Sequence, residues 1–356
     1  MKSRLKFFTV MMVLVLAFLT ACGSNSSNSS NSGDANGGSG GAKGGEKLKI
    51  ALVTSAGGLG DKSYNDLGYE GLKKVELVYG METKVVEPKD ISEGEKYLTE
   101  LARAGYDLVI TLEYGHADIL KNVAPQFPDT RFSIFNIEVD EPNVTSVLFK
   151  EHEGSFLAGA LAAMVTADTS IPGMNAEKKI GVIGGTESPG IDKFIVGYEE
   201  GAKYIDESVE VIKSYANSFE DPAKGKEMAL VQIGQGADIV YQVAGGTGIG
   251  IIEAAKEKGV FAIGVDSDQD YLAEGFVLTS MMKRVDNAVI ELAKYLQEGT
   301  LDNVSVLTLG LKESGVDLSP MTYTKDKIPS GYLEKIAQIR NDIIEGKIQV
   351  TDITQN

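Results

Sequence analysis

The chain has 356 residues, 43% of them hydrophobic, and carries 34 Lys and Arg against 51 Asp and Glu, a formal charge of −17. That acidity argues against nucleic acid and anionic lipid as partners, and the length allows two domains with separate cores. A single cysteine excludes a disulfide within the chain and a cysteine-based metal site.

The first segment reads as an export signal. Lys2, Arg4 and Lys6 precede an apolar run from Phe7 to Leu19 that is short for a membrane span. The run ends in Leu19-Thr20-Ala21-Cys22, small residues ahead of a cysteine, the layout of a lipobox. The expected chemistry is lipidation of Cys22 and cleavage before it, so residues 1–21 form the signal peptide. Losing the three positives of that segment leaves 31 bases against 51 acids, about −20. From Gly23 to Gly45 the chain is Ser, Asn, Gly, Ala and little else, which cannot bury apolar surface. Residues 22–45 are therefore expected to be a lipidated tether with a reach of roughly 25–30 Å. The expected location is the extracytoplasmic face of the cell membrane, with membrane contact through the lipid alone.

Regular patterning begins after Glu46. Leu48–Thr54 reads as a buried strand, Tyr64–Tyr79 as a helix, Thr83–Val86 as a strand and Glu93–Ala104 as a helix. Leu108–Leu112 is a strand, His116–Gln126 a helix and Arg131–Phe135 a strand. Glu153–Thr166, strongly apolar, opens a second series. Strands at Lys179–Gly184, Val209–Tyr215, Asp238–Val243, Val260–Val265 and Phe276–Ser280 alternate with helices at Ile191–Tyr204, Pro222–Gln235 and Gly248–Lys258, and Val285–Glu298 is the last large helix. This alternation predicts an α/β fold of βαβ units with parallel sheets. No Pro- or Gly-rich linker divides the series, so two lobes joined by strand crossovers are expected. Ligands of open α/β sheets bind beyond the carboxyl ends of the strands, here a cleft between lobes.

The strand ends carry the candidate residues. Ser55 to Asp66 is glycine-rich but has neither GxGxxG nor GK[ST], so it is no phosphate loop. Asp61 or Ser63 there suits a helix cap. Tyr64 and Asn65 equally suit a flat polar heterocycle, one stacking on its face and the other reading its edge. Asn136 follows the strand at Arg131. Gly245 and Gly246 either let a ligand approach the backbone closely or serve strand–helix packing. Asp266 suits a pair of sugar hydroxyls, or a solvated acidic turn; the spaced pattern of a calcium loop is missing. Lys283, placed at the start of the last large helix, either pairs with a cleft carboxylate or is surface charge. The two histidines, His116 and His152, have no metal-ligand spacing, and HExxH and GxSxG are missing. An enzyme is disfavoured, and neither a cofactor nor a metal is expected.

Several stretches are similar to the basic membrane protein family of substrate-binding lipoproteins, the purine-nucleoside-receptor type. They are Asp61-Lys62-Ser63-Tyr64-Asn65-Asp66 with Tyr69-Glu70-Gly71, Glu153-Gly154-Ser155-Phe156-Leu157-Ala158-Gly159, and Gly197-Tyr198-Glu199-Glu200-Gly201. Gly245-Gly246-Thr247-Gly248, and Gly264-Val265-Asp266-Ser267-Asp268-Gln269 with Thr279-Ser280 and Lys283, complete the set. The resemblance runs from Lys47 to about Ile343. It implies a type I periplasmic-binding-protein fold, two Rossmann-like lobes joined by three crossovers near Lys150, Ser280 and Gly310. The lobes would be residues 46–150 with 281–310, and 151–280 with 311–356. It further implies purine nucleoside capture (adenosine, guanosine, inosine) for an ABC importer, with permease and ATPase subunits as partners and a monomeric chain. Tyr64 stands where the family usually has Phe and would stack on the base, opposite Phe219. Asn65 would read the purine edge. Asp266 and Lys283 would hold the ribose hydroxyls, with a backbone contact from Gly245 or Gly246. Many members carry Asp where this chain has Asn136; an amide there can bond a hydroxyl or ring nitrogen but brings no charge. A sugar or other small polar solute, or a surface sensor or adhesin role on the same scaffold, are the alternatives.

Overall fold

The computed structural model describes residues 47–55 and 57–354. The signal peptide, Cys22 and the tether lie outside the described residues. Strands β1 (Lys49–Val53), β2 (Glu82–Val86), β3 (Leu108–Thr111), β4 (Arg131–Phe135), β5 (Val144–Phe149) and β11 (Val306–Leu309) form one sheet in the order β11-β5-β4-β3-β1-β2. Every pairing in it is parallel. A second sheet has the order β12-β10-β9-β8-β6-β7, from β6 (Lys179–Gly184), β7 (Glu210–Tyr215), β8 (Ala237–Val243), β9 (Phe261–Asp266), β10 (Val277–Lys283) and β12 (Val316–Leu318). Only β12, antiparallel to β10, breaks its parallel pattern. The central strands are buried on both faces, which is why they read as unbroken apolar runs rather than alternating ones.

The helices are α1 (Tyr64–Tyr79), α2 (Gly94–Arg103), α3 (Ala117–Val123), α4 (Glu151–Thr166), α5 (Pro189–Ile205), α6 (Pro222–Gly234), α7 (Thr247–Lys258), α8 (Val285–Glu298) and α9 (Ser330–Ile344). Strand-by-strand alternation places most of them. It misses β5, because Thr145 and Ser146 interrupt the apolar run; both are buried, and their hydroxyls bond the Val304 carbonyl at 2.7 Å and the Val139 amide at 3.0 Å. It also misses β11, β12 and α9, so α8 is not the last large helix.

The chain leaves the first sheet after Phe149, returns after β10 and crosses again after Leu309. The second crossing falls at Arg284 rather than near Ser280, since β10 stays paired with β9 through Met282 and Asp266. Lys283 is therefore the end of a strand and not the start of a helix.

The glycines of the stretch Gly197–Gly201, one of those that carry the family resemblance, have a packing role. A Cβ on Gly197 would lie 2.4 Å from the His152 carbonyl oxygen, and one on Gly201 2.0 Å from that of Phe156. Helices α4 and α5 thus meet at backbone distance. Fourteen residues of α4 are buried, which accounts for its apolar character on every side. No helix among the described residues is long and apolar enough to cross a membrane.

Candidate functional site

Strand ends of the two sheets meet: the segment after β1 is bonded to the end of β9, and the residue after β4 to the end of β10. After β1 the chain runs through a loop into α1. Asp61, 5% exposed, accepts the amides of Ser63 (2.9 Å), Asn65 (2.8 Å) and Asp66 (3.2 Å). It caps the helix from two residues before Ser63, whose own hydroxyl makes no cap bond. Burial pushes the Asp61 carboxyl up, against the pull of those amides. Asn65 is buried; its Oδ1 accepts from the Ser55 amide (2.9 Å) and its Nδ2 donates to Asp61 (3.1 Å). Its amide braces the loop.

Ser63 instead reaches the opposite lobe. Its Oγ donates to Asp266 Oδ2 at 2.5 Å. Beside it the Lys62 carbonyl accepts from Ser267 Oγ at 2.7 Å and Gln269 Nε2 at 3.0 Å. Asp266 closes β9 with φ of +64°, and Asn136 follows β4 with φ of +69°. Asp and Asn tolerate this left-handed conformation best among residues other than glycine. Burial pushes the Asp266 carboxyl up to about 6, although the Lys283 ammonium and the Ser63 hydroxyl pull it down.

Lys283 ends β10 with 3% exposure. Its Nζ donates to Asn136 Oδ1 at 2.7 Å and to Glu151 Oε1 at 2.8 Å. The rings of Tyr64, Phe149 and Phe194 lie 5.1, 4.9 and 5.6 Å from it, a cation–π environment. Asn136 Nδ2 donates in turn to the Tyr64 hydroxyl at 2.8 Å, which donates to the Leu112 carbonyl at 3.1 Å. Tyr64 and Asn136, from different strand ends of the first sheet, are thus bonded to each other. An amide fits here better than a carboxylate: it accepts from the lysine with one atom and donates to the phenol with the other. Burial first, then the charges of Asp266 and Glu113, pushes the Tyr64 phenol well above its ordinary range.

Gly245, with φ of +53°, and Gly246 stand at the start of α7. A Cβ on Gly246 would lie 3.1 Å from the Phe219 carbonyl oxygen and 3.8 Å from the Asp61 Cα, so this turn packs between the Phe219 loop and the first lobe. The Phe219 ring lies flush on Gly185, where a Cβ would come within 2.1 Å of it, and its carbonyl accepts from the Thr247 amide at 3.2 Å. Tyr64 and Phe219 make no ring-to-ring contact among the described residues.

Tyr64, Asn136 and Lys283 therefore lie on one hydrogen-bonded chain, Asp266 is bonded to Ser63 and feels the Lys283 charge, and Asp61 and Asn65 build the loop beside them. Sequence reasoning did not single out Glu151, Lys193 or Glu113. Glu151 hid in a helix start placed two residues late. Lys193 had a signal: it is four residues before Gly197 and eight before Gly201, on the stripe of α5 that packs on α4.

A family profile described as ABC transporter substrate-binding protein PnrA-like matches residues 47–354. The chain is 34% identical over 325 residues to the ABC transporter nucleoside-binding protein BmpA of Lactococcus lactis, covering 85% of this chain and 89% of that one. It is 31% identical over 356 residues to the CD4+ T-cell-stimulating antigen of Listeria monocytogenes, covering 94% of each. Among solved structures, an ABC transporter solute-binding protein from Aeropyrum pernix superposes with a TM-score of 0.77 at 27% identity, covering 87% of this chain and 94% of that one.

Proposed function

We infer that this chain, which belongs to the PnrA-like family of ABC transporter substrate-binding proteins, captures purine nucleosides in its interlobe cleft and delivers them to a permease and its ATPase. The observation that carries this reading is the convergence of an aromatic face, Tyr64, with a buried carboxylate, Asp266, and a buried ammonium, Lys283, that is 5.1 Å from the Tyr64 ring. A flat base suits the ring, and a vicinal pair of ribose hydroxyls suits an acceptor and a donor held in fixed positions. The relative named for nucleoside binding points the same way. In this reading Asn136 sets the ring's position, Phe219 offers the facing aromatic surface, and Gly245 and Gly246 offer backbone contact. Asn65 and Asp61 act by holding the loop. The lobes would be residues 46–150 with 284–310, and 151–283 with 311–356, the second boundary set by the end of β10. Cys22 would carry the lipid that anchors the chain outside the cytoplasm, and loss of radiolabelled palmitate in Cys22→Ser tests that separately.

The deciding experiment is calorimetric titration of the purified chain, stripped of ligand by unfolding and refolding, with adenosine, guanosine, inosine, cytidine, uridine and ribose. Tight purine nucleoside binding that is lost in Tyr64→Ala is the expected result. Binding of ribose alone would replace the nucleoside by a sugar. No binding by folded protein would sink the reading and leave the sensor or adhesin role.

A further inference from the structure

Glu151 is the first residue of α4, immediately past the first crossing between sheets, and is 3% exposed. Its Oε1 meets Lys283 Nζ at 2.8 Å, and its Oε2 meets Lys193 Nζ at 2.9 Å. Lys193 is in turn fixed by donating to the Phe149 carbonyl at 2.8 Å. One carboxylate thus lies between two buried ammoniums, its near oxygen hydrogen-bonded to Lys283 and its far oxygen ion-paired with Lys193. Burial pushes the Glu151 carboxyl up, and the Lys283 and Lys193 charges together hold it below the usual carboxylate range. An ammonium has three N–H donors. Glu151 and Asn136 take two of those on Lys283 among the described residues and so fix the direction of the third.

We propose that Glu151 is a positioning residue of the ligand site: bracketed by Lys193, it holds the Lys283 ammonium oriented so that its remaining donor meets the ligand. The inference rests on the nucleoside reading for the identity of that ligand, but not for the bracket. Removing the carboxylate leaves two buried cations facing each other across the crossing. A buried ammonium without its counter-ion gives up its proton more readily. The groups around Lys283 are Glu151 on α4, Lys193 on α5, Asn136 after β4, Tyr64 on α1 and Asp266 on β9, with His152 and, 3.9 Å beyond it, Asp352 next to Glu151.

The test uses the full chain as wild type, Glu151→Gln, Glu151→Asp, Lys283→Met and the double variant Glu151→Gln/Lys283→Met. Inosine affinity and Tm are measured from about pH 7 to about pH 9.5. Glu151→Gln is expected to weaken inosine binding about tenfold or more, increasingly so as pH rises, with partial recovery in Glu151→Asp. In the Lys283→Met background the same change should alter affinity less than about twofold, because the residue it positions is gone. The Tm deficit of Glu151→Gln should shrink as pH rises, since a neutral amine needs no carboxylate beside it. A loss of equal size in both backgrounds and at every pH would overturn the proposal and leave Glu151 a packing residue. If wild type binds no nucleoside, the nucleoside reading fails, while the pH dependence of the Tm deficit still decides the bracket.

Discussion

Replacing Asp266 by Asn changes little in shape and much in charge. Asn tolerates the φ of +64° at this position, and its Oδ1 can still accept from Ser63. The wild-type carboxyl is pushed up to about 6 by burial, so its folded pKa lies above its unfolded one. A group shifted in that direction stabilises the fold below its unfolded pKa, and the contribution is lost as pH rises through about 4 to about 6. An ionised Asp266 at neutral pH is therefore a cost. A shift of about two units corresponds to at most about 3 kcal/mol, undiscounted because the residue is only 6% exposed. Asp266→Asn should accordingly raise Tm at pH 7, by about 2–4 °C per kcal/mol recovered, and the gain should vanish near pH 4 where wild type is protonated. Nucleoside affinity should fall in the same variant, since a charge-assisted hydrogen bond contributes about 1.5–3 kcal/mol, roughly ten- to more than a hundredfold. Calorimetric unfolding across pH, paired with inosine titration, reads both. A variant less stable than wild type at pH 7, with a flat pH difference, would refute the burial argument; unchanged affinity would refute the ligand contact.

Tyr64→Phe should keep most of the affinity, because the stacking face remains, yet lower Tm, because Asn136 and the Leu112 carbonyl lose their partner at a cost of about 1–3 kcal/mol; a collapse of affinity in this variant would show that the hydroxyl itself meets the ligand. Gly197→Ala should lower the free energy of unfolding by about 1–3 kcal/mol or more, since its Cβ would enter the α4 backbone at 2.4 Å from the His152 carbonyl, and unchanged unfolding would contradict the close approach of the two helices. Asp61→Ala removes an acceptor shared by three amides and should cost about 0.5–2 kcal/mol in denaturant unfolding while loosening the loop that presents Tyr64; a purely ligand-dependent phenotype would speak against the capping role.

Much of this protein is written locally. Runs such as LVIT at 108–111 and FAIGVD at 261–266 are apolar because both faces of a parallel strand are covered, and that pattern needs no knowledge of the neighbours. The strand ends follow from the strands, which is how Tyr64, Asn136 and Asp266 came into view as candidate residues. Tertiary structure decided the rest. β5 and β12 exist through their partners: buried Thr145 finds an acceptor 159 residues away, and β12 pairs antiparallel with β10 across a crossing. The same holds for the charges. Lys193 finds its partner only because α4 brings Glu151 to it, and Lys283 is a strand end because β10 stays in register with β9 as far as Met282, opposite Asp266, and with β12 through Lys283. Asn65, read as a ligand contact, also has an amide that folding brings to Ser55 and Asp61 in its own loop. Periodicity records whether a position is buried; which partner satisfies a buried polar atom depends on contacts far apart in the chain, and only the folded molecule fixes those.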